Sequence, residues 1–462
     1  MDKLVELMLF LQMGLIAISA IFFMKNPKRF ILGMIIITAG WQGGLWISFL
    51  KMDMRFSQVL VLILVTYILL NPQRIVIQDR YVKSILMPSI GMMGCAILAA
   101  FQAEDPGLAF GGAFSLLIDY LVIVCIIGSI EKPQDVGYIL KFVLAAVCFQ
   151  ILLALFQYRI AHFKIGIIDE VSSYYLWWRM HGTYGHPNQL GMFFVFTLPF
   201  IFRYLVFVTR NRQWKSIIII FIIFLFGLFS LYTTQNRGSE TALAIALVVT
   251  IWIDLFRRRA RVRKTLIQIS TVVVILMSLA MVRYGQRIYD QFFNQPRDVY
   301  EQYEGRALLN EEAMSRISEN LPFGMGIGNY ESGFWRETMV HNLFLLILSE
   351  IGVGFLFFVW IVFVLFYETI KMMRIKNVFV TNLGSAFLAT LLGFLISSWV
   401  GPDWFLSNQV RLNFWILCGI ILAMNRLWNR MMREHEFHQK KKYHELNSKK
   451  NIGNGAVIIH GS

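Results

Sequence analysis

Residues 216–256 read SIIIIFIIFLFGLFSLYTTQNRGSETALAIALVVTIWIDLF: two apolar runs joined by the eight polar residues Thr233–Glu240. A helix needs roughly 20 apolar residues to cross the hydrocarbon core of a bilayer. Lipid offers no partner to a backbone N–H or C=O, so a single apolar run crosses as a helix. The stretch therefore predicts a transmembrane helical hairpin whose polar turn sits at the mouth of a bundle. The same pattern recurs in both directions, with candidate spans beginning near Leu4, Phe30, Phe56, Ser84, Ala113, Gly137, Asn188, Ser216, Ser239, Thr265, His341, Val378 and Val410, thirteen in all. The run Phe56–Leu70 is short and follows the tight charged connection Lys51, Asp53, Arg55, which leaves twelve spans as the alternative. The predicted fold class is an all-α polytopic integral membrane protein, with a transmembrane domain over 1–427 and a tail over 428–462.

Composition agrees. Of 462 residues, 57% are hydrophobic and 15% charged, where soluble domains carry about 45–50% and about 25%; mean hydropathy is +0.59. An ordinary water-soluble enzyme is excluded. The apolar stretch Leu4–Met24 carries its basic cluster, Lys25, Lys28 and Arg29, behind it rather than ahead, and so reads as an uncleaved first span. Cys95, Cys125, Cys148 and Cys418 all fall inside apolar runs and form neither a disulfide framework nor a paired metal motif. The chain shows no short-period repeat and no pair of inverted halves with matching broken helices.

The net charge of +15, from 43 Lys and Arg against 28 Asp and Glu, is sorted by side. Thirteen alternating spans put Lys25/Lys28/Arg29, Arg74/Arg80/Lys83, Arg210/Arg212/Lys215, the block Arg257–Lys264 and Lys371/Arg374/Lys376 on one face, together with the basic tail. By the positive-inside bias that face is cytoplasmic. The charge is thus topological and calls for no nucleic-acid partner. The tail from Trp428 is polar and basic and reads as disordered.

The opposite face carries the two longest connections, Tyr158–Pro187 and Arg283–Val340. Function on a transmembrane scaffold concentrates in such loops. The second holds six arginines and nine acids, a net of −3, so anion binding there has to come from individually placed arginines. Within it, Leu309, Ala313, Ile317 and Leu321 recur every four residues and Glu312 stands four before Arg316, which predicts an amphipathic surface helix ended by Pro322.

Three polar clusters lie at the outer ends of apolar spans: the turn around Arg237, the pair Gly305-Arg306 opening the surface helix, and His341-Asn342 ahead of a further apolar run. An arginine is costly in hydrocarbon and suits bidentate phosphate recognition, which makes Arg237 a binding candidate against the plainer reading of a snorkelling anchor capped by Ser239. Arg306 by itself reads as a solvated helix start. A histidine at the boundary can take a proton near neutral pH, though a lone one is more often a structural contact. Glu350 lies nine residues after His341, on the opposite helix face and roughly 13.5 Å deeper, and reads as a packing or network residue.

Together these segments resemble the O-antigen ligase and polymerase superfamily of bacterial membrane proteins. Gly182-Thr183-Tyr184-Gly185-His186-Pro187-Asn188-Gln189-Leu190 looks like the family's segment before a span, and Asn236-Arg237-Gly238 like its short Arg-Gly loop. Gly305-Arg306 with Pro322-Phe323-Gly324-Met325-Gly326-Ile327-Gly328-Asn329 is similar to its large outer loop, and His341-Asn342 followed by Glu350-Ile351-Gly352 completes the set. The motifs span about 180–370. One departure stands out: the second glycine after Gly352 comes at Gly354, a residue early, which bears on helix packing there.

The resemblance implies a glycosyltransferase of surface polysaccharide assembly in the bacterial cytoplasmic membrane. It would move a glycan from an undecaprenyl-pyrophosphate carrier to an acceptor hydroxyl as a repeat-unit polymerase, with ligase as the alternative, and with other components of polysaccharide export as further partners. Arg237 and Arg306 would hold the pyrophosphate, with Asn188 and Asn342 beside them as binding residues, and His341 would accept the acceptor's proton; no metal or cofactor is called for. The competing classes are a lipid-linked oligosaccharide flippase or transporter, which needs a polar midplane path, and a non-enzymatic partner of an export machine. Weaker features complete the reading. Glu104-Asp105 could hold a divalent ion but, before Pro106-Gly107, reads as a turn; Gly324-x-Gly-x-Gly has neither the dinucleotide nor the Walker spacing; His435-Glu436-x-His438 has the wrong spacing for a zinc helix; and Asp119 is an intramembrane acid that marks a polar pathway or pairs with a tyrosine or amide.

Overall fold

The computed structural model describes residues 24–41, 44–47, 51–70, 80–159, 179–257, 298–332, 340–375, 377–401 and 408–455, with isolated positions at 16, 21, 267–268, 271–272 and 275. The chain is an all-α polytopic membrane protein. Its helices are α1 (Pro27–Thr38), α2 (Phe56–Leu70), α3 (Arg80–Gln102), α4 (Pro106–Ser129), α5 (Pro133–Arg159), α6 (Pro187–Arg210) and α7 (Trp214–Thr233), then α8 (Arg237–Arg257), α9 (Asp298–Asn320), α10 (Asn329–Ser332), α11 (Leu343–Ile351), α12 (Gly354–Arg374), α13 (Val378–Val400) and α14 (Asn408–Gly455). Among the described residues, eight of these are long and apolar enough to cross a membrane: α3 to α7 and α12 to α14. The spans expected near Leu4 and Thr265 lie outside the described residues.

Local chemistry sets the helix starts. Pro106 and Pro187 occupy first helical positions, where the missing N–H costs nothing. Asp105, Asn342 and Asn377 cap α4, α11 and α13 by accepting from the first free backbone N–H groups. The span expected from Phe30 is shorter than its hydropathy suggests, because α1 ends at Thr38. An antiparallel hairpin follows, β1 (Gly44–Ile47) paired with β2 (Met52–Arg55), turning at Lys51 with φ +44°.

The span expected to begin at His341 is broken in two. Gly352 (φ +50°) separates α11 from α12, and its Cα faces the chain at Pro322: an added Cβ would lie 2.1 Å from the Pro322 carbonyl oxygen. That oxygen instead accepts from Val353 N at 2.8 Å, while Met325 N and Gly326 N donate to the carbonyls of Ser349 and Glu350. The turn 322–329, with Gly324, Gly326 and Gly328 all at positive φ, is therefore plugged into the break as a substitute for helix hydrogen bonds. Glu350, fully buried, accepts from Gly328 N at 2.7 Å and serves the network role expected of it. Two residues on, Gly354 packs α12 against Cys95 of α3, which is the use of the early glycine.

α13 lies against α6 and α8, and α14 against α4, in the centre of the bundle. There Asp119 pairs with Arg411, the two side chains 0% and 2% exposed. Arg411 also donates to Ser115 Oγ at 2.7 Å, and Gln58 donates to the same oxygen at 2.8 Å. Asp119 thus meets the expected amide, Gln58 Nε2 donating to its Oδ1 at 3.4 Å, and an arginine as well, because a buried carboxylate needs a counter-charge more than a dipole. The tail is also corrected: helix continues unbroken to Gly455. A formed span supplies the nucleus that an isolated helix lacks, and Lys, Glu, Arg and Gln propagate it well.

Both ends of the bundle are pinned. At the basic end Arg29 pairs with Asp135, Lys28 with Glu131, and Arg426 reaches the Ile127 carbonyl. At the other end Lys51 pairs with Asp105, whose backbone N–H donates to Asn329.

Candidate functional site

The polar end opposite the basic one is where the candidate residues meet. It is built on the α7–α8 turn, which Thr234 and Gln235 (φ +52°) tighten to three residues between helices. Asn236 caps α8: its Oδ1 accepts from Ser239 N at 3.1 Å, and its amide donates to Ser239 Oγ at 2.8 Å and to the Asn188 carbonyl at 3.2 Å. The cap is therefore Asn236, with Ser239 as its partner. So tight a turn leaves the carbonyls of Thr234 and Gln235 pointing outward, and Arg179 takes them. Its Nε donates to Thr234 O at 2.8 Å, and its Nη2 to Asn188 Oδ1 at 2.8 Å and Gln235 O at 3.4 Å. One guanidinium thus ties the segment before α6, the start of α6 and the α7–α8 turn.

The segment 181–186 is held from beneath. Gln157 exchanges hydrogen bonds with the backbone of Gly182, and Gln150 with Thr183, whose hydroxyl reaches the Gly40 carbonyl at 2.8 Å. Tyr184 is fully buried and accepts from Asn413 at 3.0 Å. His186 follows as the N-cap of α6, its Nδ1 accepting from Asn188 N at 3.1 Å. That bond leaves Nε2 to carry the proton of the neutral ring. Burial pushes the His186 imidazole down to about 4, and the nearby charges of Arg179, His181 and His341 add to the effect. Burial lowers His181 as well, against the opposing pull of the Tyr184 carbonyl 2.7 Å from its Nδ1.

His341 is exposed, at the start of α11 and within electrostatic range of His186. Arg237, half-buried, opens α8 and stands in electrostatic reach of Glu240 one turn on, which also feels Arg179. Arg237, His341 and Asn188 are thus gathered with His186, Arg179 and Glu240 into one polar mouth. Asn188 and Asn342 both spend their side-chain oxygens inside the protein, on Arg179 and on the α11 N-terminus. Arg306 falls within α9, which begins at Asp298 and not at Gly305; its side chain lies outside the described part. In the same helix Ala313 and Ile317 are buried and Glu312 pairs with Arg316 at 3.5 Å, while Leu321, past the helix end, is exposed.

Arg179 and the proton-donating His186 are the residues that pattern reading passed over. In the sequence Arg179 stands directly after Trp177-Trp178, just ahead of the Gly182–Leu190 motif. Asp105, weighed as an ion ligand, is held below the usual carboxylate range first by the Lys51 hydrogen bond and then by its own cap on Leu108 N.

Residues 221–361 match the model of a family described as O-antigen ligase, which shows the resemblance to the O-antigen ligase and polymerase superfamily over that segment. The matched stretch runs from within α7 into α12 and takes in Arg237, Arg306 and His341; Arg179, His186 and Asn188 lie ahead of it. No curated protein matches the chain.

Proposed function

We propose that this protein transfers a glycan from an undecaprenyl-pyrophosphate carrier to an acceptor hydroxyl at the non-basic, extracytoplasmic face of the bacterial cytoplasmic membrane, as a repeat-unit polymerase. The family match supports the broader role in surface polysaccharide assembly. The observation that carries the finer reading is the convergence of Arg179, Arg237, His186 and His341 on the polar mouth between α6, α8 and α11.

In the proposed step the acceptor oxygen attacks the anomeric carbon, the carbon–oxygen bond to the pyrophosphate breaks, and the acceptor's proton passes to His341. Charge builds on the departing pyrophosphate, and fixed guanidinium groups stabilise it without needing to reorganise. Arg237 and Arg306 are assigned that task, with Arg179 holding Asn188 and the turn in register. His186 is the wrong histidine for the base, because its Nδ1 is occupied and its ring stays neutral down to about pH 4; it can instead donate from Nε2. His341, exposed at the mouth, has the access a base requires. This reading assigns the leaving group to arginines.

A transporter would need exchangeable polar groups at mid-depth. The members of the Asp119–Arg411–Ser115–Gln58 cluster instead spend their polar groups on one another, which favours an enzyme. The experiment is transfer by the full chain in nanodiscs. Arg237→Lys and Arg306→Lys keep charge but lose the planar fork, and a mere anchor would tolerate both. We expect both to accumulate like the parent and to transfer much more slowly, with His341→Ala similarly impaired; parental activity in both lysine variants sinks the phosphate assignment. In a deletion strain, single repeat units on the surface indicate a polymerase, and long chains stranded on carrier lipid indicate a ligase.

A further inference from the structure

Two histidines of the segment ahead of α6, His181 and His186, are fixed in opposite senses. His181 Nδ1 lies 2.7 Å from the Tyr184 carbonyl oxygen. A carbonyl only accepts, so in the neutral ring Nδ1 carries the proton and Nε2 keeps a lone pair. His186 is the reverse: its Nδ1 accepts from Asn188 N at 3.1 Å, and Nε2 carries the proton. Among the described residues each imidazole makes one hydrogen bond, through Nδ1. Both rings are half-buried. Each therefore offers Nε2 beyond its anchor, one as an acceptor and the other as a donor.

The backbone keeps the two together. Tyr184 N donates to His181 O at 3.0 Å, a turn whose ends lie within about 7 Å, and the two residues on to His186 add at most about 7 Å. Gln157 and Gln150 accept from Gly182 N and Thr183 N and hold that turn from beneath. Burial lowers both imidazoles, so the neutral rings persist at neutral pH.

The mouth has two sides. His186 feels Arg179, His181 and His341, whereas Glu240 feels Arg237 and Arg179, so Arg179 stands between a histidine side and an arginine side. An ionised pyrophosphate belongs to the second. Its oxygens only accept, and the lone pair of His181 has nothing to give them. What satisfies His181 and His186 together is a ligand that both donates and accepts, and sugar hydroxyls do.

We propose that His181 and His186 form the subsite for the acceptor sugar, one hydroxyl donating to His181 Nε2 and the same or a neighbouring hydroxyl accepting from His186 Nε2–H. The inference rests on the transfer reading above and names the groups that hold its acceptor beside His341.

The test uses the full chain in nanodiscs. The donor is lipid-linked repeat unit from a deletion strain at fixed concentration, and the titrated acceptor is the same repeat unit released from its carrier by mild acid. His181→Asn keeps a donor for the Tyr184 carbonyl and His186→Asn keeps the α6 cap, but neither side chain extends to the Nε2 position. Each should raise the acceptor KM about tenfold, the scale of one hydrogen bond, with kcat within about threefold, as loss of uniform binding requires. An unchanged acceptor KM in both variants, or a rise in donor KM in its place, overturns the proposal. A parent that transfers nothing from the lipid-linked donor sinks the transfer reading itself and the proposal with it. The unsubstituted chain gives a second measurement that no folding defect can disturb. Diethyl pyrocarbonate attacks an unprotonated ring nitrogen, so it should label His181 and spare His186, whose lone pair is already bonded. Released repeat unit should shield His181, and undecaprenyl pyrophosphate alone should not. Labelling of His181 that the repeat unit leaves unaltered, or that the carrier alone suppresses, overturns the assignment.

Discussion

Arg179→Lys separates a positioned mouth from a merely charged one. The guanidinium makes two hydrogen bonds at 2.8 Å, to Thr234 O and Asn188 Oδ1, and a long one at 3.4 Å to Gln235 O. A lysine ammonium keeps the charge and can reach one of the two short partners, not both, because it lacks the planar fork. Losing one charge-assisted hydrogen bond from a half-buried acceptor costs about 1.5–3 kcal/mol. If that energy holds Asn188 and the α7–α8 turn in the geometry used for transfer, the rate falls roughly 10- to 150-fold. The assay is glycan transfer by nanodisc-embedded protein at saturating and limiting donor, read beside membrane accumulation and thermal unfolding. The expectation is parental accumulation, a fall concentrated in kcat, and faster amide exchange over 179–188. Transfer within threefold of the parent, with exchange over 179–188 unchanged, would refute the argument that Arg179 organises the mouth.

His186 binds its proton in the folded chain only near pH 4, against about 6.5 when unfolded. Below pH 6.5 the unfolded chain takes up the proton first, so this contribution to stability is complete above 6.5 and drains away as pH falls toward 4. His186→Asn, which can still cap α6, should flatten the thermal-stability profile in that window relative to the parent; identical slopes count against the buried neutral ring. Removing one member of the Asp119–Arg411 pair should cost about 3–5 kcal/mol, whereas Asp119→Leu with Arg411→Met should recover most of it, measured as the unfolding midpoint in one detergent. Transfer should persist in chelator, and loss restored by a divalent ion would bring Glu104 and Asp105 back as ligands. Single cysteines placed over 283–297 should react with an impermeant reagent in intact spheroplasts, and labelling only after lysis would invert the topology.

Most span starts are legible in the sequence to within a few residues, and two of the departures share a physical cause. Hydropathy and end charge are local, so α6, α7, α8 and α13 begin within two positions of where composition alone puts them, while α4 begins seven earlier, at Pro106 against Ala113. The α11–α12 break is not local. It exists because the Pro322 carbonyl and the 325–326 backbone supply hydrogen bonds that a continuous helix would have made for itself. Within the run Leu343 to Arg374 the signs are Gly352 and Gly354, and glycine in a membrane helix is too common to mark a break by itself. Arg179 was missed for a related reason: two of its partners are backbone carbonyls freed by the tight turn at Gln235, and backbone acceptors have no letter in a sequence. Arg411 is a different case, because it was available. An ionised carboxylate at mid-span is stable only beside a counter-charge, so Asp119 points to the basic residues inside the other apolar runs. Arg411, one position into the run that begins at Val410, belongs to that short set, and 292 positions of separation are no obstacle to helices that share a bundle core. An intramembrane charge is therefore read by asking which opposite charge the remaining spans can bring to it, and only an acid left without one is evidence of a pathway.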